Sequence, residues 1–208
     1  MTVEKAPIIA IERHRIATDG VGVTTLVGFW GCPLRCKHCI NPHSFFEKTK
    51  PLHLTPEELY QRTLLDQIYF LASGGGVTFG GGEPLLYPQF LQQFRALCGT
   101  SWHLTAETSL AVPWESVEIA ASCIDEFWID CKDTNDAIYT RYTGKSNALM
   151  LQNLARLVQT VSPERIVVRL PLIPDYNTED DVQKSQEKLS ALGITRFDRF
   201  TYRVENRI

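Results

Sequence analysis

Short β-branched runs alternate with longer helical patterns along almost the whole chain, and this alternation restricts the fold more than any other feature. Thr25–Trp30, Val77–Phe79, His103–Ala106, Glu126–Asp130, Ile166–Leu170 and Arg196–Tyr202 read as strands. A helix is expected from Thr55-Pro56-Glu57-Glu58 to about Ala72, with Thr as N-cap, Pro in the first turn and a capping-box acid, stopping at Ser73-Gly74-Gly75. Tyr87–Leu97, Trp114–Ala121, Ala148–Thr160 and Thr178–Leu192 read as further helices, and Pro7–Glu12 as an edge strand. Such alternation implies parallel strands joined by right-handed crossovers. Six units are too few for a closed eight-stranded barrel. They fit an α/β fold that is either a partial (β/α)6 TIM-like barrel, open on one side, or a doubly wound sheet.

The polar residues favour the barrel, where chemistry gathers at the carboxyl ends of strands. Each predicted strand end carries something unusual: three cysteines, then Gly81-Gly82-Glu83, then Glu107-Thr108-Ser109, then Asp130-Cys131-Lys132, then Arg169 and Pro171. The last strand ends at Tyr202-Arg203. Six strand ends converge on one mouth.

With 208 residues and about 150 per domain, one domain over 1–208 is expected. The hydrophobic fraction of 44% can build a core, which excludes a disordered chain. Net charge is −3 with no basic run, so no nucleic-acid partner is expected. No apolar stretch approaches the roughly 18 residues of a membrane helix, and Met1–Arg15 lacks a signal-peptide core, so a cytoplasmic monomer is expected.

Six cysteines divide into three and three. Cys32, Cys36 and Cys39 share one loop with CxxxCxxC spacing, whereas Cys98, Cys123 and Cys131 stand alone and read as buried apolar residues. Thiolates spaced this closely are metal ligands. A structural zinc site would need a fourth ligand from His38, His43 or a distant cysteine. Three thiolates alone suit a four-iron cluster with one iron left open to a small chelating molecule.

CPLRCKHC, GGGVTFGGGEP and the Asp130-x-Lys132 pair together resemble the radical S-adenosylmethionine superfamily, and within it the activating enzymes of glycyl-radical enzymes. The resemblance runs from about His14 to about Arg203. Asp19-Gly20-Val21-Gly22 is similar to a DGPG motif of those activases, and Glu126–Gly144 and Ile166–Asp181 are similar to further segments of them. What the resemblance implies is a [4Fe–4S] cluster on Cys32, Cys36 and Cys39 in a loop spanning about 31–43, without an auxiliary ferredoxin insert. S-adenosylmethionine would bind the open iron and, on reduction, yield a 5′-deoxyadenosyl radical that abstracts the α-hydrogen of a glycine in a partner enzyme. A flavodoxin- or ferredoxin-type protein would supply the electron.

The same resemblance assigns His38 to adenine and Gly81, Gly82 and Glu83 to the methionyl amino group. It assigns Asp130 and Lys132 to the ribose and carboxylate, Arg169 to the cofactor or peptide substrate, and Asp19 to the substrate peptide. Glu107 and Thr108 with Asp130 would hold a monovalent cation, although the family carries aspartate where Glu107 stands. Thr24 replaces an arginine of the family, and Arg203 stands where a histidine near the cofactor is expected. The chain stops at its last predicted strand, so the barrel is expected to be more open on that side. A radical enzyme with a small-molecule substrate, similar to 7-carboxy-7-deazaguanine synthase, is the first alternative. A non-enzymatic metal or electron-transfer module is the second.

Overall fold

The computed structural model describes residues 4–16, 18–46 and 48–202. Eight strands form one open sheet: β1 (Ala6–Ile16), β2 (Val23–Phe29), β3 (Leu52–Leu54), β4 (Gly76–Gly81), β5 (His103–Thr108), β6 (Glu126–Asp130), β7 (Ile166–Leu172) and β8 (Phe197–Thr201). Their order across the sheet is β3-β1-β2-β4-β5-β6-β7-β8. From β2 to β8 every neighbouring pair is parallel. The six expected parallel strands are therefore present, as a partial TIM-like barrel.

Seven helices accompany the sheet among the described residues: α1 (Pro56–Thr63), α2 (Gln67–Ser73), α3 (Pro88–Cys98), α4 (Trp114–Ala121), α5 (Asp136–Thr143), α6 (Ala148–Thr160) and α7 (Glu179–Ser190). Capping boxes at Thr55 and Thr178 start α1 and α7, each worth about 1 kcal/mol. No helix among the described residues is long and apolar enough to cross a membrane.

The sheet alternation explains why both a core and a cavity form. On β6, Phe127 and Ile129 are fully buried, while Asp130 faces a cavity at the strand end. Phe29, Phe79, Phe90 and Phe94 meet edge-to-face in the core, each contributing about 2 kcal/mol of burial.

Three features differ from the sequence reading. β1 is not an edge strand, because β3 pairs with it antiparallel at Ala6↔Leu54. The single helix expected over 55–72 is broken by a 3-10 turn at Leu64–Asp66. There the buried Asp66 carboxylate accepts from Arg13 Nε (2.9 Å) and Thr25 Oγ1 (2.7 Å), which ties the turn to the sheet. Helix α5 was not anticipated, although Asn135 caps its first turn and left-handed Gly144 ends it.

Candidate active site

The carboxyl ends of β2 and β4 to β8 open onto one cavity of about 960 Å³. The cysteine loop leaves β2 and forms one wall. Its backbone is held from both sides: Arg35 N donates to Thr143 O (2.9 Å), Lys37 N to Tyr142 O (3.1 Å), and Glu83 N to Gly31 O (2.7 Å). The Arg35 side chain donates to the carbonyls of Cys32 (2.5 Å) and Leu34 (2.8 Å) and covers the Phe45 ring. Cys32, Cys36 and Cys39 all line the cavity from this wall.

Burial pushes the Cys32 thiol up to about 12, with the Glu83 charge adding to it, and the Cys36 thiol up to about 11. Such thiols give up their protons to a metal far more readily than to water. Among the described residues no three His, Cys, Asp or Glu side chains converge as ligands of a single ion. Three separately placed soft donors on one wall fit an iron–sulfur cluster, in which each thiolate takes a different iron. Cys98, Cys123 and Cys131 are buried and lie outside the cavity lining.

The second wall is the turn after β4. Gly82 must be glycine, since a Cβ there would lie 2.2 Å from the Gly31 carbonyl oxygen. Glu83 follows, with 1% of its surface exposed. Its carboxylate accepts from Thr108 Oγ1 (2.7 Å), Ser109 N (2.9 Å), Ser109 Oγ (2.6 Å) and Leu85 N (3.2 Å). Four donors fill both oxygens, so Glu83 clamps the glycine turn to the end of β5 instead of offering an open acceptor for an amino group. Burial raises its pKa against the pull of these donors. In the sequence this commitment is marked only by the adjacency of Thr108 and Ser109 to Glu107.

The third wall is charged. Arg169 on β7 donates through Nη1 to Glu107 (2.7 Å) and through Nε to Asp130 (2.7 Å). Lys132 lies 3.2 Å from Asp130 and donates to the Tyr202 hydroxyl at 3.0 Å. Burial pushes the Asp130 carboxyl up, but Arg169 and Lys132 outweigh it and hold the group below its ordinary range. Glu107 goes the other way, raised by burial despite Arg169. Lys132, buried yet beside Asp130, is raised.

The expected cation site is therefore filled from within the chain. Arg169 already occupies Glu107 and Asp130, and the Thr108 hydroxyl serves Glu83.

Asp19 reaches the cavity from the segment before β2, paired with Arg15. Gly20 makes that approach possible. Its φ is +130°, and a Cβ would lie 3.0 Å from Thr105 Oγ1. Arg15 and Glu12 line the cavity beside Asp19 without any motif that marked them, as does Asn41, whereas Tyr202 lies at the mouth as its strand-end position implies.

His38 is not brought to the cavity lining. The hydrogen bonds that fix Arg35 and Lys37 against α5 turn its ring toward Tyr142 and Tyr176, at centroid distances of 6.0 and 5.6 Å. Arg203 lies outside the described residues.

Carboxylates outnumber cations around the cavity, with Glu12, Asp19, Glu83, Glu107 and Asp130 against Arg15, Lys132 and Arg169. That balance favours a ligand carrying positive charge.

A partial α/β barrel with three thiols beside a polar strand-end cavity defines a class of metallocluster barrel enzymes. The profile of the Radical SAM superfamily matches residues 28–187. The choline trimethylamine-lyase activating enzyme of Oleidesulfovibrio alaskensis is 30% identical, with 91% of this chain and 79% of that enzyme covered. The chain belongs to the radical SAM superfamily, in the branch of activating enzymes for glycyl-radical enzymes. The indoleacetate decarboxylase activating enzyme of Tractidigestivibacter scatoligenes is 31% identical over 74% of this chain, and the chain spans only 53% of that relative's length. Streptococcus suis SuiB shares the fold at a TM-score of 0.64 and 15% identity, over 86% of this chain and 39% of SuiB. The family implies a [4Fe–4S] cluster and S-adenosylmethionine.

Proposed function

We propose that this chain activates a glycyl-radical enzyme, with Cys32, Cys36 and Cys39 as the ligands of the cluster. The bound cluster and S-adenosylmethionine would supply a 5′-deoxyadenosyl radical able to take the α-hydrogen of a glycine, a bond that acid–base groups at ordinary pKa values cannot break. The observation that carries this reading is the sharing of one cavity by the three thiols and the Glu107–Arg169–Asp130–Lys132 network.

The residues divide the work by their geometry. Backbone carbonyls of the Gly81-Gly82 turn, held in place by Glu83, present acceptors to the methionyl ammonium. Lys132 and Arg169 would bind its carboxylate, and Asp130 would accept from the ribose hydroxyls. The surplus of carboxylates suits the sulfonium. Asp19, with Arg15 behind it, stands where an entering peptide would first meet charge. The open side of the sheet admits a loop of a large partner protein. A flavodoxin- or ferredoxin-type protein supplies the electron.

The test is anaerobic incubation of the iron-reconstituted protein with S-adenosylmethionine, dithionite and candidate glycyl-radical enzymes, followed by electron paramagnetic resonance. A doublet from a glycyl radical in one partner is the expected result. Cofactor cleavage without a glycyl signal in any partner, but with turnover of a small molecule, would overturn the choice of substrate.

A further inference from the structure

The face of the cysteine loop turned away from the cavity has a different character from the face turned toward it. Arg35 and Lys37 flank the cavity-lining Cys36 in sequence and are both exposed. The bonds from Arg35 N to Thr143 O and from Lys37 N to Tyr142 O bring the last turn of α5 alongside, and with it the exposed Arg141 and Lys145. Lys48 and Lys50, further along the same segment, are exposed too.

None of these six basic side chains forms an ion pair among the described residues. Two exposed carboxylates adjoin them: Asp175, whose backbone carbonyl accepts from Arg141, and Asp136, which accepts from Ser146 and Asn147 next to Lys145. A chain of net charge −3 thus groups Arg35, Lys37, Arg141 and Lys145 on one face, none of them in an ion pair among the described residues. Beside this group Phe46, next in sequence to the Phe45 ring that Arg35 covers, is 47% exposed.

We propose that this face docks a small acidic protein that donates single electrons. The inference rests on the activase reading, which requires one electron to enter the cluster each time S-adenosylmethionine is cleaved. The donor leaves one electron more oxidised and no proton need move with it. Electron transfer weakens steeply with distance, and Arg35 and Lys37 flank the cavity-lining Cys36 in sequence, so a donor held on them lies close to the thiols.

A substrate peptide, in contrast, must enter the cavity itself. An exposed phenyl ring beside a group of cations matches the character of brief redox encounters, which bury less than about 1,200 Å². Unpaired charge of one sign steers such encounters and raises their rate at low salt.

The experiment compares the wild-type holoprotein with the double variant Lys37→Glu, Lys145→Glu. Both side chains are exposed, and neither residue lines the cavity. A flavodoxin is the probe, and its affinity is measured by flavin fluorescence at about 0.05 M and about 0.3 M salt. At low salt the variant should bind flavodoxin at least about tenfold more weakly than wild type. Raising the salt should weaken wild-type binding and largely erase the difference. Iron content and dithionite-driven release of 5′-deoxyadenosine should be unchanged in the variant.

Equal flavodoxin affinity in the two proteins would overturn the proposal. A variant that also lost dithionite-driven cleavage would overturn it as well, since the face would then serve the catalytic site. Failure of the activase reading is separately visible as absence of dithionite-driven cleavage in wild type, while flavodoxin binding still reports on the surface.

Discussion

The two faces of the cysteine loop carry opposite charge for related reasons. Inward, Cys32, Cys36 and Cys39 look into a cavity where carboxylates outnumber cations, and the Glu107–Arg169–Asp130–Lys132 network closes the far wall. Outward, Arg35, Lys37, Arg141 and Lys145 form no ion pair among the described residues. Charges on the inner face are mutually satisfied and shielded from water, so they can exchange partners with a zwitterionic cofactor at modest cost. Charges on the outer face are hydrated and contribute little to folding, which leaves them available for long-range attraction. One short loop can thus separate a cofactor site from an electron-entry surface.

The comparison can be broken most severely from the inside. Cys36→Ser should abolish cluster formation, read as loss of nearly all cluster iron and of visible absorbance after anaerobic reconstitution. Retention of a full iron complement would remove Cys36 from the ligand set.

Next in size is Arg169→Met, which leaves Glu107 unpaired and Asp130 with Lys132 alone at the cavity wall. Affinity for S-adenosylmethionine should fall about 100-fold, equivalent to roughly 2.7 kcal/mol, with flavodoxin affinity unchanged. Calorimetric titration of both ligands separates the two faces, and equal losses for both would merge them.

A site away from both faces provides the control. Asp66, buried at the turn between α1 and α2, is paired with Arg13 and accepts from Thr25. Burial pushes its carboxyl up, but Arg13 and Thr25 outweigh it and hold the group below its ordinary value of 3.8. A depressed folded-state value contributes stability above the unfolded value and loses it as pH falls through the folded one. Asp66→Asn should therefore cost about 2 kcal/mol near neutral pH, measured by denaturant unfolding, and the difference should shrink below about pH 4. A constant difference from pH 3 to pH 7 would contradict the assignment.

The smallest effect belongs to Cys98→Ala, at a buried thiol outside the cavity. Iron content should stay within experimental error of wild type. A stability loss of about 1 kcal/mol is expected from the vacated volume.

Much of this architecture is legible in the sequence because parallel strands repeat one simple rule. Each β-branched run ends where its polar residues begin, so Cys32, Gly82, Glu107, Asp130 and Arg169 could be placed at one mouth before any coordinates. What escaped depends on contacts between distant segments. Leu52–Leu54 is too short to show alternation, yet it covers the edge of β1. The break between α1 and α2 follows from Asp66 reaching the sheet. Glu83 looks like a ligand in a glycine-rich turn, and only the fold reveals that Thr108 and Ser109 already fill it. His38 is turned aside by α5, which is about a hundred residues away in sequence. The basic face has the same origin, since Lys37 and Lys145 form no charge run.

The central claim is that these three thiols and this charged wall together make a cofactor-cleaving site. The most direct measurement is 5′-deoxyadenosine released from S-adenosylmethionine by the anaerobically reconstituted, dithionite-reduced protein, with Cys36→Ser and Arg169→Met beside it. The account predicts steady release from wild type, none from Cys36→Ser, and release from Arg169→Met restored by raised cofactor concentration. A wild-type protein carrying about four irons per chain that released no 5′-deoxyadenosine would contradict it.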